Sequence, residues 1–83
     1  MKRKRVLQKI VDGSINIRFA DMVNLVEGFG FHLSRVKGSH HIFIHPEISE
    51  PVNLQDVKGD AKPYQVKQFI KLVEKYNLHL EEE

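Results

Sequence analysis

Cysteine is absent from this 83-residue chain, which excludes disulfides and thiolate-bound metal. A chain without disulfides fits a reducing, cytoplasmic setting. No apolar run approaches the roughly 18 residues that span a bilayer, so no membrane association is expected. The stretch Met1-Lys2-Arg3-Lys4-Arg5 is basic, but only Val6-Leu7 follows before Gln8-Lys9, so the apolar core of a secretory signal is missing. Size excludes more. A chain this short buries roughly 60% of its unfolded surface. That allows one domain with about two helices and a three-stranded sheet, and no deep substrate cavity. An excess of one sign of charge is also lacking, because 13 Lys and Arg stand against 11 Asp and Glu, a formal net charge of +2.

The distribution of charge is more informative than its sum. Five of the first nine residues are Lys or Arg, whereas Glu81-Glu82-Glu83 ends the sequence. From Phe31 to Lys71, six basic residues (Arg35, Lys37, Lys58, Lys62, Lys67, Lys71) face four acidic ones. This asymmetry is a hint of a polyanionic partner and no more.

Hydrophobic periodicity sets the expected elements. Val6, Leu7, Ile10 and Val11 outline a short amphipathic helix ended by Asp12-Gly13-Ser14. Residues 15–18 read as a connector. Phe19, Met22, Val23 and Val26 form the stripe of a second helix, stopped near Gly28 or Gly30. Residues 31–37 and 40–45 alternate on either side of Gly38-Ser39 and predict an antiparallel hairpin. A simple two-residue turn sets Lys37 opposite His40, Arg35 opposite Ile42, Leu33 opposite Ile44 and His32 opposite His45. On that register Phe31, Leu33, Ile42 and Ile44 make the expected core face, with Arg35, Lys37 and His40 toward the turn. The other face, without the two main helices, carries His32, Ser34, Val36, His41, Phe43 and His45; Phe43 there is expected to be covered by the N-terminal helix or by a partner docked on a Val36–Phe43 patch, rather than to stack bases. Residues 46–51 read as a loop, 52–55 as a short third strand, and 56–62 as a polar connection. Pro63 suits a first helical turn. Val66, Phe69, Ile70 and Val73 continue the helix toward Asn77, an expected C-terminal cap. The order predicts an α+β sandwich with two helices on one face of a three-stranded antiparallel sheet, preceded by an extra short helix.

Four of the five histidines (His32, His40, His41, His45) fall within fourteen residues. Histidine is the side chain that titrates nearest neutral pH, so a cluster raises acid–base and metal chemistry. Metal is disfavoured. His41 and His45 stand about 13 Å apart along one strand at roughly 3.3 Å per residue, and His32 with His45 lacks a third ligand. No cofactor is implied. His40, delivered by Gly38-Ser39 onto the first position of a strand, is the candidate acid–base group.

The run Arg35-Val36-Lys37-Gly38-Ser39-His40-His41-Ile42-Phe43, with Gly28-Phe29-Gly30-Phe31 before it and His45-Pro46 after it, resembles the HicA family. Lys62-Pro63-Tyr64-Gln65-Val66 at the start of the last helix also looks like one branch of that family. The resemblance covers roughly residues 18–80, with 1–17 as an additional helix and connector and 81–83 as an acidic tail. It implies a fold like the double-stranded RNA-binding domain, cleavage of messenger RNA as a toxin, an essential histidine matching His40, and neutralisation by a HicB-type antitoxin. RNA cleavage needs an acid–base group and cations for phosphate. Arg35, Lys37, Lys58 and Lys62 are the candidate cations. Gly38 and Ser39 offer a close-approaching backbone and a hydroxyl. Two alternatives stay open on the residues alone: a non-catalytic RNA-binding module, and a protein-interaction domain whose nuclease activity has decayed.

Overall fold

The computed structural model describes residues 2–14 and 16–81. Met1, Ile15 of the expected connector, and Glu82 and Glu83 of the acidic tail lie outside the described residues. Three helices and four strands follow in the order α1 (Arg3–Val11), α2 (Phe19–Gly28), β1 (His32–Lys37), β2 (His40–His45), β3 (Ile48–Val57), β4 (Asp60–Ala61) and α3 (Pro63–Lys75). The strands form one antiparallel meander, β1-β2-β3-β4. This is the expected α+β arrangement with its additional first helix, consistent with the double-stranded-RNA-binding-domain type of fold.

The sheet differs from the expectation in extent. Residues 48–51, read as loop, belong to a ten-residue β3, and the polar connection holds the two-residue β4. Pro51 is compatible with this strand because it falls where the β2–β3 register shifts, between the pairs Phe43↔Val52 and His45↔Ile48, a bulge where a proline is tolerated. β4 pairs with β3 through Asp56↔Ala61 and Val57↔Asp60, and Arg18 bridges Asp60 from the other side.

The covered face is also the reverse of the expected one. Phe43 is 1% exposed and shares the core with Val52 and Leu54 of β3, Met22, Leu25 and Val26 of α2, and Val66, Phe69 and Leu72 of α3. His41 and His45 lie on Phe43's face. The His41 ring packs on Phe19 (4.7 Å between centroids) and the His45 ring on Phe31 (5.1 Å). Leu33 (49% exposed) and Ile44 (50%) are not core residues, and Ile42 is only half-buried. The expected Val36–Phe43 docking patch therefore does not exist, since Phe43 is interior.

A β-bulge between Leu33 and Arg35 lets β1 follow this reversed β2. Near the turn the expected pairs hold: Lys37↔His40 and Arg35↔Ile42. Beyond the bulge Leu33 pairs with Phe43, and His32 with Ile44 rather than His45. The extra residue at Ser34 separates two groups that simple alternation puts on one face. Phe31 and Leu33 go to the helix side, while Arg35 and Lys37 stay on the open side.

α1 packs on α2 and buries Val6, with Leu7 and Ile10 partly covered. Val11, expected on that stripe, is 69% exposed at the last helical position. Cations in the first turn of a helix oppose its dipole by about 0.3–1 kcal/mol each. Arg3 offsets part of this by donating its Nε–H to Asn24 O (2.8 Å) and Oδ1 (3.0 Å) on α2. α2 ends in a Schellman turn, with Gly30 at φ +95° and its N–H donated to Glu27 O. α3 ends the same way on Asn77 at φ +50°.

Candidate nucleic-acid interface

The hairpin tip is built from a glycine and two contacts to the Ser39 carbonyl. Gly38 has φ +60° at the first central position of the two-residue turn, where a side chain is strained. The Ser39 carbonyl accepts the Asp56 N–H at 3.0 Å and lies 3.2 Å from His41 Nδ1. Because a carbonyl has no hydrogen to give, His41 Nδ1 is the donor. His41 is thus spent on holding the turn and on packing against Phe19. His40, equally part-exposed, points to the opposite, open face and stands directly across from Lys37.

His40 Nδ1 lies 3.3 Å from Asn53 Oδ1. In this orientation the amide oxygen only accepts, so Nδ1 carries the hydrogen and the neutral ring keeps its lone pair on Nε2. Lys37 and Arg35 share the open face with His40, and neither makes an ion pair among the described residues. Ile42, Ile44 and His32 complete that face. The arrangement is a shallow surface: one oriented imidazole, two free cations, an amide and two apolar side chains. It offers proton transfer at Nε2 beside positive charge.

The remaining predicted residues are distributed. Lys58 sits in the β3–β4 turn, at the same end of the sheet as Gly38-Ser39. Its φ is +54°, in the left-handed region, and Asp56 Oδ1 accepts the following Gly59 N–H at 2.8 Å. Lys62 precedes α3 on the helix layer, its ammonium 5.1 Å from the centre of the Tyr64 ring. No contact ties Lys62 to His40. Among the described residues no group of three or more His, Asp or Glu could hold a metal ion, and no helix is long and apolar enough to cross a membrane.

Asn53 is the residue that sequence reading missed. Its signal was present, since Val52 and Leu54 are apolar and a strand alternates, so Asn53 had to face away from them. Its contact with His40 depends on the β2–β3 register, which places Asn53 across from Ile42.

A comparison with family models matches residues 19–74 to the HicA toxin of bacterial toxin–antitoxin systems. The match spans more than half of the chain. This protein belongs to the HicA toxin family. Membership implies a cognate antitoxin as its partner. No curated protein and no solved structure matches the chain. The HicA match begins at Phe19, the first residue of α2, and ends one residue short of the end of α3, so it includes α2, the whole sheet and nearly all of α3 but not α1.

Proposed function

We propose that this HicA toxin is an endoribonuclease that cleaves messenger RNA in the cytoplasm and is neutralised by a HicB-like antitoxin seated over the open sheet face. One juxtaposition supports the reading: His40 stands across from Lys37, beside Arg35, with Nδ1 held by Asn53 and Nε2 left free. In the proposed reaction Nε2 removes the proton of a ribose 2′-hydroxyl. The 2′-oxygen bonds to the adjacent phosphorus as the bond to the 5′-oxygen breaks. Water protonates the leaving oxygen, and His40 returns its proton to solvent. The products are a 2′,3′-cyclic phosphate and a 5′-hydroxyl. Arg35 and Lys37 counter the charge that grows on the phosphate oxygens, and the Gly38-Ser39 turn admits the backbone close to it. Lys58 and Lys62 extend the cationic track to the neighbouring turn and to the amino-terminal end of α3, whose dipole favours anions. A single acid–base group contributes about 10²–10⁴-fold, so the enzyme is slow and dependent on how its cations position the phosphate. Exposed Ile44 and half-buried Ile42 give the antitoxin apolar contact on the same face.

The test is His40→Ala in purified toxin with single-stranded RNA. Cleavage is lost while the circular dichroism spectrum and RNA affinity stay unchanged. A 2′-deoxy residue at the cut site blocks cleavage. If wild-type toxin binds RNA but cuts none of it, the chain is a binding module; if it binds none with any salt dependence, the RNA reading fails altogether.

A further inference from the structure

A groove of about 350 Å³ runs between the outer edge of β3 and α3. That volume lies at the lower end of the range for small-ligand sites, roughly 300–1,000 Å³. Asn53, the partner of His40, lines it, so the groove starts one side chain from the imidazole. Its far end holds Glu50 with Lys75. Lys75 Nζ donates to Glu50 Oε2 at 2.8 Å and the Tyr76 hydroxyl donates to the same oxygen at 2.5 Å. The one carboxylate in the groove is therefore already neutralised. Between the ends lie Gln65, Gln68 and Lys71 above a floor of Phe69 and Leu72. Lys71 is exposed and makes no ion pair among the described residues.

The backbone argues against a peptide strand as occupant. The Asp56 N–H points to the β2 side, to Ser39 O, whereas the Gln55 N–H points outward to Gln65 Oε1 at 2.6 Å. By alternation, residues 53 and 55 direct their backbone groups into the groove. Pro51, in the irregular part of β3, has no N–H, and that of Gln55 is already bonded. Only the Asn53 N–H remains, too few for a ladder with an added strand. What the groove does present is side-chain amides and a cation. Gln65 is 2% exposed and has committed its oxygen, so it offers its amide NH₂. Amides pair with base edges, and a lysine pairs with phosphate.

We propose that this groove receives the nucleotide flanking the scissile phosphate of a single-stranded RNA, with Gln68 and the Gln65 amide against the base and Lys71 on the next phosphate. The inference rests on the nuclease reading above and adds to it a source of sequence preference. RNA crosses from His40 over Asn53, around the sheet edge and into the groove.

Two exposed substitutions test it in the full-length toxin: Lys71→Glu and Gln68→Ala, with Lys67→Glu as a charge-matched control on the same helix, beside α1 and outside the groove. Affinity for a short mixed-sequence RNA is measured between about 50 and 200 mM salt. Lys71→Glu lowers affinity about tenfold, and the slope of log affinity against log salt falls by about 0.7, one phosphate contact. Lys67→Glu changes affinity less than about twofold. Sequencing the ends cut from a random RNA pool shows that Gln68→Ala flattens the base preference at one position beside the cut. If wild-type toxin binds and cuts RNA and both groove variants retain its affinity and preference, the groove assignment is wrong and the nuclease reading stands. If the groove variants release the antitoxin without affecting RNA, the groove is a protein site and the proposal fails. If wild-type toxin neither binds nor cuts RNA, both readings fail together.

Discussion

Lys58 occupies a backbone conformation that lysine does not favour. The β3–β4 turn has φ +54° at Lys58 and +90° at Gly59, the pattern of a two-residue type I′ hairpin. A side chain with a Cβ pays roughly 1–2 kcal/mol in the left-handed region, less for Asn, whose short polar side chain tolerates it. Asn-Gly is the preferred sequence for such a turn. The chain itself uses Asn at its only other non-glycine position with positive φ among the described residues, Asn77. Lys58 is exposed and makes no hydrogen bond or ion pair among the described residues, so replacing it breaks neither in the folded protein. Lys58→Asn is therefore expected to stabilise the toxin by about 1 kcal/mol, which for a domain of this size raises Tm by about 4–8 °C. If the lysine is kept because it holds phosphate, the same substitution weakens RNA binding about three- to tenfold and lowers the salt slope by about 0.7. Thermal unfolding followed by circular dichroism and a salt-dependent RNA titration read the two effects on one sample. An unchanged or lower Tm refutes the strain argument. A higher Tm with unchanged RNA affinity refutes the phosphate role.

Three further outcomes follow from the packing. Phe43→Ala removes a fully buried ring and is expected to cost about 3–5 kcal/mol in urea unfolding, whereas Ile44→Ala, one residue on, costs less than about 1 kcal/mol; equal costs would mean that the covered face is misassigned. Gly30→Ala puts a Cβ at φ +95° and 2.9 Å from His45 Nε2, so it is expected to cost upward of about 1 kcal/mol, read as a lower urea midpoint. The Lys75 ammonium and the Tyr76 hydroxyl hold the Glu50 carboxyl below its ordinary range, and Glu50 in turn holds Lys75 above its own. A depressed carboxylate contributes stability above its unfolded pKa and loses it as pH falls through the folded value. Wild type is thus expected to unfold at higher urea than Glu50→Gln at pH 7, with the gap closing in acid below the carboxylate range; a gap that persists there contradicts the ion-pair origin.

Much of the architecture was legible because single residues carry strong local meaning. Gly38-Ser39 locates the hairpin, Pro63 the start of α3 and Asn77 its end; of the helical stripes, Met22, Val26, Val66 and Phe69 are buried and Phe19, Val23, Ile70 and Val73 partly so, while Leu25 and Leu72 are buried outside them. What was illegible depends on pairing. β2 carries Ile42 and Ile44 on one face and Phe43 on the other, so apolar counts pointed to the face with two residues. The structure follows the larger ring, because Phe43 is flanked by Val52 and Leu54 whereas Ile42 is flanked by Asn53. β3 reads short because Glu50-Pro51 looks like a loop; the register shift there gives the proline a bulge, where no ladder bond is lost. β4 has two residues, too few to show a period. At the candidate site, His40, Lys37 and Arg35 were correctly grouped on one face, and Asn53 was missed because its contact exists only across strands.

The bulge at Ser34 is where the demands of folding and of the surface meet. With strict alternation Phe31, Leu33, Arg35 and Lys37 share a face. Turning that face to the core would force two cations under the helices, where an unpaired charge costs several kcal/mol. Turning it to water would expel Phe31, which is fully buried against His45 and Phe69, and forfeit about 1.5–3 kcal/mol of burial. Either loss is a large fraction of what an 83-residue chain has to spare. One unpaired residue on an exposed edge strand costs less than either. It keeps Phe31 in the core and leaves Arg35 and Lys37 beside His40. The positive charge around the imidazole therefore follows from core packing together with a register slip. A one-residue deletion at Ser34 would set the two against each other.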